Sequence, residues 1–230
     1  MDVDIYRESQ TNSGTLGSVC STGCDSFEKG RSIKQTADGG YIIAGETQSF
    51  SVGLLDVWLI KTDSEGLPEW KSVFGGTGSD KGYSVEQTTD GGYIIGGSTW
   101  SYGIAHSNDV WLIKTDAQGT ELWSKSYGDT GWDIGHSVQQ TNDGGFIIAG
   151  ITETHYLVEF DRDVLLIKID AHGNEKWYRT FDGNGSESGY AVQQTEDGGY
   201  ILAGSIWVAS SSHIWLLKTD SEGNVGPEEE

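Results

Sequence analysis

One short phrase occurs four times in the 230 residues: QTADGGYIIAG from Gln35, QTTDGGYIIGG from Gln87, QTNDGGFIIAG from Gln140 and QTEDGGYILAG from Gln194. Its Asp-Gly-Gly cores stand at Asp38, Asp90, Asp143 and Asp197, so the period is 52 to 54 residues. A fixed period in this range signals a repeat architecture, in which each unit buries its apolar face against the next.

Each copy reads as four strands. In the second copy, Tyr83-Ser84-Val85-Glu86-Gln87-Thr88 is rich in β-formers, and Asp90-Gly91-Gly92 turns the chain into Tyr93-Ile94-Ile95. Asp-Gly between two such runs is a hairpin signal, because glycine adopts φ > 0 without a Cβ clash. Asp109-Val110-Trp111-Leu112-Ile113-Lys114 then leads through Ala117-Gln118-Gly119 to Leu122-Trp123-Ser124-Lys125-Ser126-Tyr127. These strands are A, B, C and D. B and C are apolar without alternation, which requires cover on both faces; D alternates, as an outer edge strand does. Four-stranded sheets that repeat and cover one another predict an all-β chain, a four-bladed β-propeller with four antiparallel strands per blade in a single domain over 1–230.

The two ends fit that reading. The fourth repeat has A, B and C but stops at Asn224-Val225-Gly226-Pro227 and a glutamate tail, while Asp4-Ile5-Tyr6-Arg7-Glu8-Ser9 resembles the D strand Lys176-Trp177-Tyr178-Arg179-Thr180. The N-terminal strand 4–9 is therefore expected to complete the last blade and close the ring. The segment that follows carries Cys20 and Cys24, either a local disulfide or two free thiols.

Loop lengths divide the two ends of the sheets. D-to-A and C-to-D spacings are constant, whereas the B–C connections 46–55, 98–108, 151–162 and 205–212 vary. Antiparallel order puts the B–C and D–A loops at one end, and function tends to reside on variable loops held by a rigid scaffold. The B–C loops hold Phe50, Trp100, Tyr102, Tyr156, Phe160 and Trp207 out of register with one another, so these are the candidate ligand-facing residues. Flat aromatics suit sugar faces and protein anchors. By contrast Trp58, Trp111, Trp215, Trp70, Trp123 and Trp177 recur by repeat and read as packing.

At the same end, Glu28, Asp80, Asp133 and Glu187 precede the glycine that opens strand A, and Asp56, Asp109, Asp163 and His213 precede strand C. Glu28, Asp80, Asp133 and Glu187 are the candidate metal set. Converging carboxylates suit a hard cation such as Ca²⁺; the bland reading is an acid accepting backbone N–H groups in a turn. Asp182-Gly183-Asn184-Gly185-Ser186 has the first oxygen spacings of a calcium loop, with Gln193 where a bidentate Glu belongs, and Asn184 opens a glycosylation sequon. Lys61, Lys114, Lys168 and Lys218 stand two residues before Asp63, Asp116, Asp170 and Asp220, a spacing that predicts ion pairs along one strand face.

The net charge of −21 argues against nucleic acid and anionic membrane as partners. No apolar run is long enough to insert into a membrane. HExxH, GxSxG and P-loop motifs are absent, and no histidines recur at ligand spacing.

The pattern GYSVxQTxDGGYIIxG at Gly82–Gly97, then DVWLIKTDxxGxxxW at Asp109–Trp123, resembles a family of bacterial and archaeal secreted or cell-surface repeat proteins, over about residues 30–223. Its layout is also similar to kelch repeats, without their double-glycine and Tyr-Asp details. The resemblance implies a propeller in an extracellular or cell-surface setting and carries no catalytic residues. The expectation is a monomeric, non-catalytic binding or adhesion module that takes a glycan or protein ligand on its B–C loops. The alternatives are an assembly subunit of a cell-surface layer and a carbohydrate-active enzyme.

Overall fold

The computed structural model describes residues 27–103, 107–154, 161–183 and 185–226. The first sheet comprises β1 (Glu28–Gln35), β2 (Tyr41–Thr47), β3 (Asp56–Thr62) and β4 (Pro68–Phe74); the second β5 (Asp80–Gln87), β6 (Tyr93–Thr99), β7 (Asp109–Thr115) and β8 (Glu121–Tyr127). The third comprises β9 (Trp132–Gln140), β10 (Phe146–Thr154), β11 (Asp161–Ile169) and β12 (Glu175–Phe181), and the fourth β13 (Ser186–Gln194), β14 (Tyr200–Val208) and β15 (Ser211–Thr219). All pairings within these sheets are antiparallel and follow chain order, and no helix occurs among the described residues. The fold is all-β and propeller-like. Residues 4–9, Cys20 and Cys24 lie outside the described residues, and the last sheet has three described strands.

The repeated phrase does two jobs at each A–B turn. Gly91 sits at φ +83°, and a Cβ on Gly92 would lie 2.1 Å from the Thr115 carbonyl oxygen, so both glycines are required. Asp90 ties the turn by accepting from Thr88 Oγ1 and Gly92 N.

Lys114 corrects the expected lysine pairing. Its ammonium meets Asp90, 2.9 Å away, and donates to the Thr115 carbonyl, not to Asp116. Lys61, Lys168 and Lys218 likewise meet Asp38, Asp143 and Asp197. Asp116 lies past the end of β7, where its carboxylate accepts from Gln118 N and Thr120 N and closes its own turn; Asp63, Asp170 and Asp220 do the same. A strand-face rule does not extend beyond the strand.

Successive sheets stack through their apolar faces. Val57, Leu59, Ile42 and Ala44 of the first sheet cluster with Val85, Tyr93 and Ile95 of the second, and this arrangement recurs between the later sheets. The D-strand tryptophans cross to the next sheet: Trp70 to Tyr93, Trp123 to Phe146 and Trp177 to Tyr200, with ring centroids 5.8 to 6.3 Å apart. The first strands of neighbouring sheets are held together by Val85 N, Val138 N and Val192 N, which donate to Ser32, Ser84 and Ser137 Oγ. These first strands form the inner seam on which the sheets converge.

The closed ring expected from the sequence is not formed by the described residues. Ile214 is 84% exposed and Leu216 65%, at the positions where Val110 and Leu112 are fully buried. On β1, Ile33 is exposed where Val85 is buried. Among the described residues nothing covers the fourth sheet's outer face or the first sheet's inner face, and the described sheets form an open arc. Four repeats set the number of sheets; they do not set the angle between them.

Candidate functional site

In each first strand the register with the second strand slips by one residue at the same place, between Gly30 and Ser32, Gly82 and Ser84, Gly135 and Ser137, and Gly189 and Ala191. The skipped residues are Arg31, Tyr83, His136 and Tyr190. A bulge of this kind re-aims one side chain and is common beside binding and catalytic sites. Here it turns four large side chains onto the inner seam. Arg31 Cζ lies 4.6 Å from the Tyr83 ring centroid, Tyr83 meets His136 edge-on at 5.2 Å, and His136 meets Tyr190 at 5.3 Å. Tyr190 is the most open of the four, 54% exposed.

Two ion pairs lie on the same sheets, one in the first and one in the third. Arg31 grips Glu46 on both carboxylate oxygens, with Nη2 to Oε1 at 2.8 Å and Nε to Oε2 at 3.2 Å. Arg162 Nε reaches Glu153 Oε2 at 3.0 Å from the cross-strand position in the third sheet. Both carboxylates are 2% exposed. Burial first, and then the fields of Arg31 and Arg162, push the His136 imidazole down to about 4, so it is neutral at physiological pH. Burial likewise raises the Tyr83 hydroxyl above its usual range. The site thus combines guanidinium forks, two phenols, a neutral imidazole and two buried carboxylates.

Sequence reasoning passed over all four seam residues. The available signal is a Gly-x-Ser frame in three repeats and Gly-x-Ala in the fourth, with a large polar or aromatic residue at x each time. Arg31, Tyr83, His136 and Tyr190 share no chemistry as a set, so a search for recurring residue types missed them.

The predicted loop aromatics are largely engaged in packing. Phe50 lies 5.7 Å from Trp58 and under the Lys71 ammonium at 3.9 Å. Tyr102 packs on Trp111 at 5.3 Å and donates from its hydroxyl to the Gly75 carbonyl. Trp100 meets Trp132 edge-on at 6.4 Å. Trp207 is exposed at the end of β14, while Tyr156 and Phe160 lie outside the described residues.

The predicted metal set is distributed one acid per sheet. Glu28 is exposed and accepts from Ser49 N; Asp80, Asp133 and Glu187 are fully buried. Asp80 accepts from Thr99 Oγ1, Ser101 Oγ, Ser101 N and Gly76 N, and Asp133 from Asp129 N. Asp80, Asp133 and Glu187 each face the acid that opens strand C of the preceding sheet. A Cβ on Gly75 would touch Asp56 Oδ1 and Asp80 Oδ2, and one on Gly128 would touch Asp109 and Asp133. Burial, with Asp129 and Asp109 nearby, lifts the Asp133 carboxyl to about 6. Among the described residues, three metal-ligating side chains come within 4.8 Å of one another at Asp163, Asp182 and Glu187. That oxygen-only set suits a hard cation in kind, although Ca²⁺ takes six to eight ligands.

No family model and no curated relative matches the chain. Among solved structures, the endo-arabinase from Bacteroides thetaiotaomicron VPI-5482 matches with a TM-score of 0.46 and 11% identity, over 87% of this chain and 77% of that one. The expectation of a non-catalytic binding module on the B–C loops is corrected on the chain's own geometry: Phe50, Trp100 and Tyr102 pack against neighbouring rings rather than facing a ligand.

Proposed function

We propose that the chain is a carbohydrate-active enzyme that binds its substrate along the inner seam. The observation that carries this reading is the row of bulged residues, Arg31, Tyr83, His136 and Tyr190, together with the buried carboxylates of Glu46 on the first sheet and Glu153 on the third. Each part has a place in sugar chemistry. Phenol rings offer flat faces to pyranose or furanose rings. Guanidinium forks and a neutral imidazole hydrogen-bond to hydroxyl groups, which carry no charge to be repelled by a chain of net charge −21. Hydrolysis of a glycosidic bond needs two carboxyl groups flanking it, one to protonate the leaving oxygen and one to attack or to activate water. Glu46, gripped on both oxygens by Arg31, is the fixed carboxylate for attack or water activation. Glu153, which meets Arg162 through Oε2, is the second carboxyl group of the pair.

A polysaccharide substrate would place the protein outside the cell or at its surface. In this proposal the four propeller-like sheets supply the scaffold and the inner seam on which they converge supplies the site. The test is release of reducing ends from a panel of polysaccharides that includes arabinan. The expected result is turnover of at least one, with kcat reduced about a hundredfold or more in Glu46→Gln and in Glu153→Gln, and KM raised in Tyr190→Ala. No release from any polymer, or full activity in both carboxylate variants, would overturn the reading.

A further inference from the structure

The bare face of the fourth sheet is built like the faces that the other three sheets bury. Ile201, Ala203, Ile214 and Leu216 occupy the places of Ile94, Gly96, Val110 and Leu112, which the next sheet covers. The surface that does the covering is also present, unused, at the other end of the arc. On β5, β9 and β13 the covering residues are Val85, Val138 and Val192, all buried; on β1 the same position is Ile33, 59% exposed. The glycines agree. A Cβ on Gly82, Gly135 or Gly189 would press within about 3 Å of the preceding sheet, whereas one on Gly30 meets only Ile43 of its own sheet, at 3.8 Å.

Polar groups at the two ends match in the same way. Between neighbouring sheets, Ala37 N, Thr89 N and Asn142 N donate to Gln87, Gln140 and Gln194 Oε1 of the next repeat. Gln194 N donates in turn to Gln139 Oε1 of the repeat before it. The end of the arc keeps the donor position at Glu196 and an acceptor at Gln193, and the start keeps the mate to both at Gln35, whose side chain reaches only its own turn, at Gly39 O.

From this we infer that the fourth sheet's outer face docks the first sheet of a second copy of this chain, head to tail. The interface continues the three already present between sheets, with Ile33 of one copy seated over Ile214 and Leu216 of the other. Because the two faces differ, the contact is heterologous: it closes a ring of copies where the angles allow and extends otherwise. It also sets the Arg31 end of one seam beside the Tyr190 end of the next. The inference rests on burial and stands whether or not the seam is catalytic.

Light scattering on the intact chain across a concentration series tests it. The wild type is expected to run as a dimer or larger, and Ile214→Lys and Ile33→Lys each as a monomer. Both side chains are exposed in the single copy, so neither change disturbs its fold, which circular dichroism checks. Mixing the two variants is expected to restore association, since each retains the face the other has lost. A wild type that stays monomeric at every concentration would overturn the inference. So would monomers whose β15 amides are protected from exchange, which would mean that the chain covers its own fourth sheet. Variants that associate as the wild type does would overturn it as well.

Discussion

The second and fourth sheets carry nearly the same words in different surroundings. β7 reads DVWLIKT, and β15 ends in HIWLLKT. Both pair in register with their second strands, Leu112 opposite Gly96 and Leu216 opposite Ala203. Leu112 is nevertheless sealed between two sheets while Leu216 stands 65% exposed. The comparison separates two things that a strand pattern encodes together. Alternation and turn chemistry build the sheet; a neighbouring sheet does the burying. The apolar run in β15 is a demand for cover that the fourth sheet's own repeat cannot meet.

The largest expected effect breaks this comparison directly. Leu112→Ala removes a fully buried side chain from a face packed on both sides and should cost about 2–5 kcal/mol by urea unfolding. Leu216→Ala, measured at a concentration where the chain is monomeric, should cost about 0.5 kcal/mol or less, the range of surface substitutions. Equal costs would mean that the fourth sheet's face is covered within one copy, and the contrast between the sheets would fail.

A second effect, up to about 3 kcal/mol, lies in the acids between sheets. Asp109 of the second sheet and Asp133 of the third face the same glycine, Gly128, whereas the fourth sheet has an exposed His213 at the place of Asp109. The Asp133 carboxyl titrates at about 6 in the fold and near 3.9 in the unfolded chain. Below pH 4 the group is neutral in both states and imposes nothing. As pH rises from 4 to 6 the unfolded chain releases the proton first, so the fold loses stability, and above pH 6 the full penalty applies. Asp133→Asn should therefore be more stable than wild type at pH 7.5, with the gap closing toward pH 4 in thermal melts. The histidine on the seam runs the other way. With its folded value at about 4, His136 favours the fold above pH 6.5 and withdraws that support as pH falls toward 4. A variant less stable than wild type at pH 7.5 would mean that the Asp133 carboxylate is held by a cation in solution.

How much of this was legible beforehand follows from the same distinction. The period, the hairpins and the strand order were readable because each is written locally, in Asp-Gly-Gly, in apolar runs and in the Ala-Gln-Gly type of turn. Burial on both faces was readable for β6 and β7, which have neighbours, and misleading for β14 and β15, which have none on their outer side among the described residues. Ring closure was inferred from strand 4–9, which lies outside the described residues, and no local pattern carries the angle between sheets. The seam residues were hidden for another reason. A bulge is a defect in register, and register belongs to a pair of strands, so nothing in Gly82-Tyr83-Ser84 alone says that Tyr83 will be turned toward its counterparts. The lysine partners were missed because Lys114 reaches Asp90 across the hairpin, 24 residues away, and a reading along one strand sees only Asp116.

The smallest effect sharpens the contrast at those lysines. Lys114 and Lys218 make the same bonds, to the turn carboxylate of Asp90 or Asp197 and to the carbonyl of Thr115 or Thr219. They differ in cover: the Lys114 side chain is 6% exposed and that of Lys218 44%. The ion pair itself is worth little in either sheet, because both aspartates are open to solvent, which screens the pair. What distinguishes the two sites is the carbonyl. Where the lysine is covered, water reaches the Thr115 oxygen poorly, and losing its donor leaves a buried acceptor that costs about 1–3 kcal/mol. In the fourth sheet water can replace the ammonium at the Thr219 carbonyl. Lys114→Met should therefore lower stability by about 1–2 kcal/mol, and Lys218→Met by a few tenths, with the first loss persisting in high salt. A loss at Lys114 that disappears in 1 M NaCl would instead make the ion pair the source, and the difference between the sheets would then be one of charge rather than of cover.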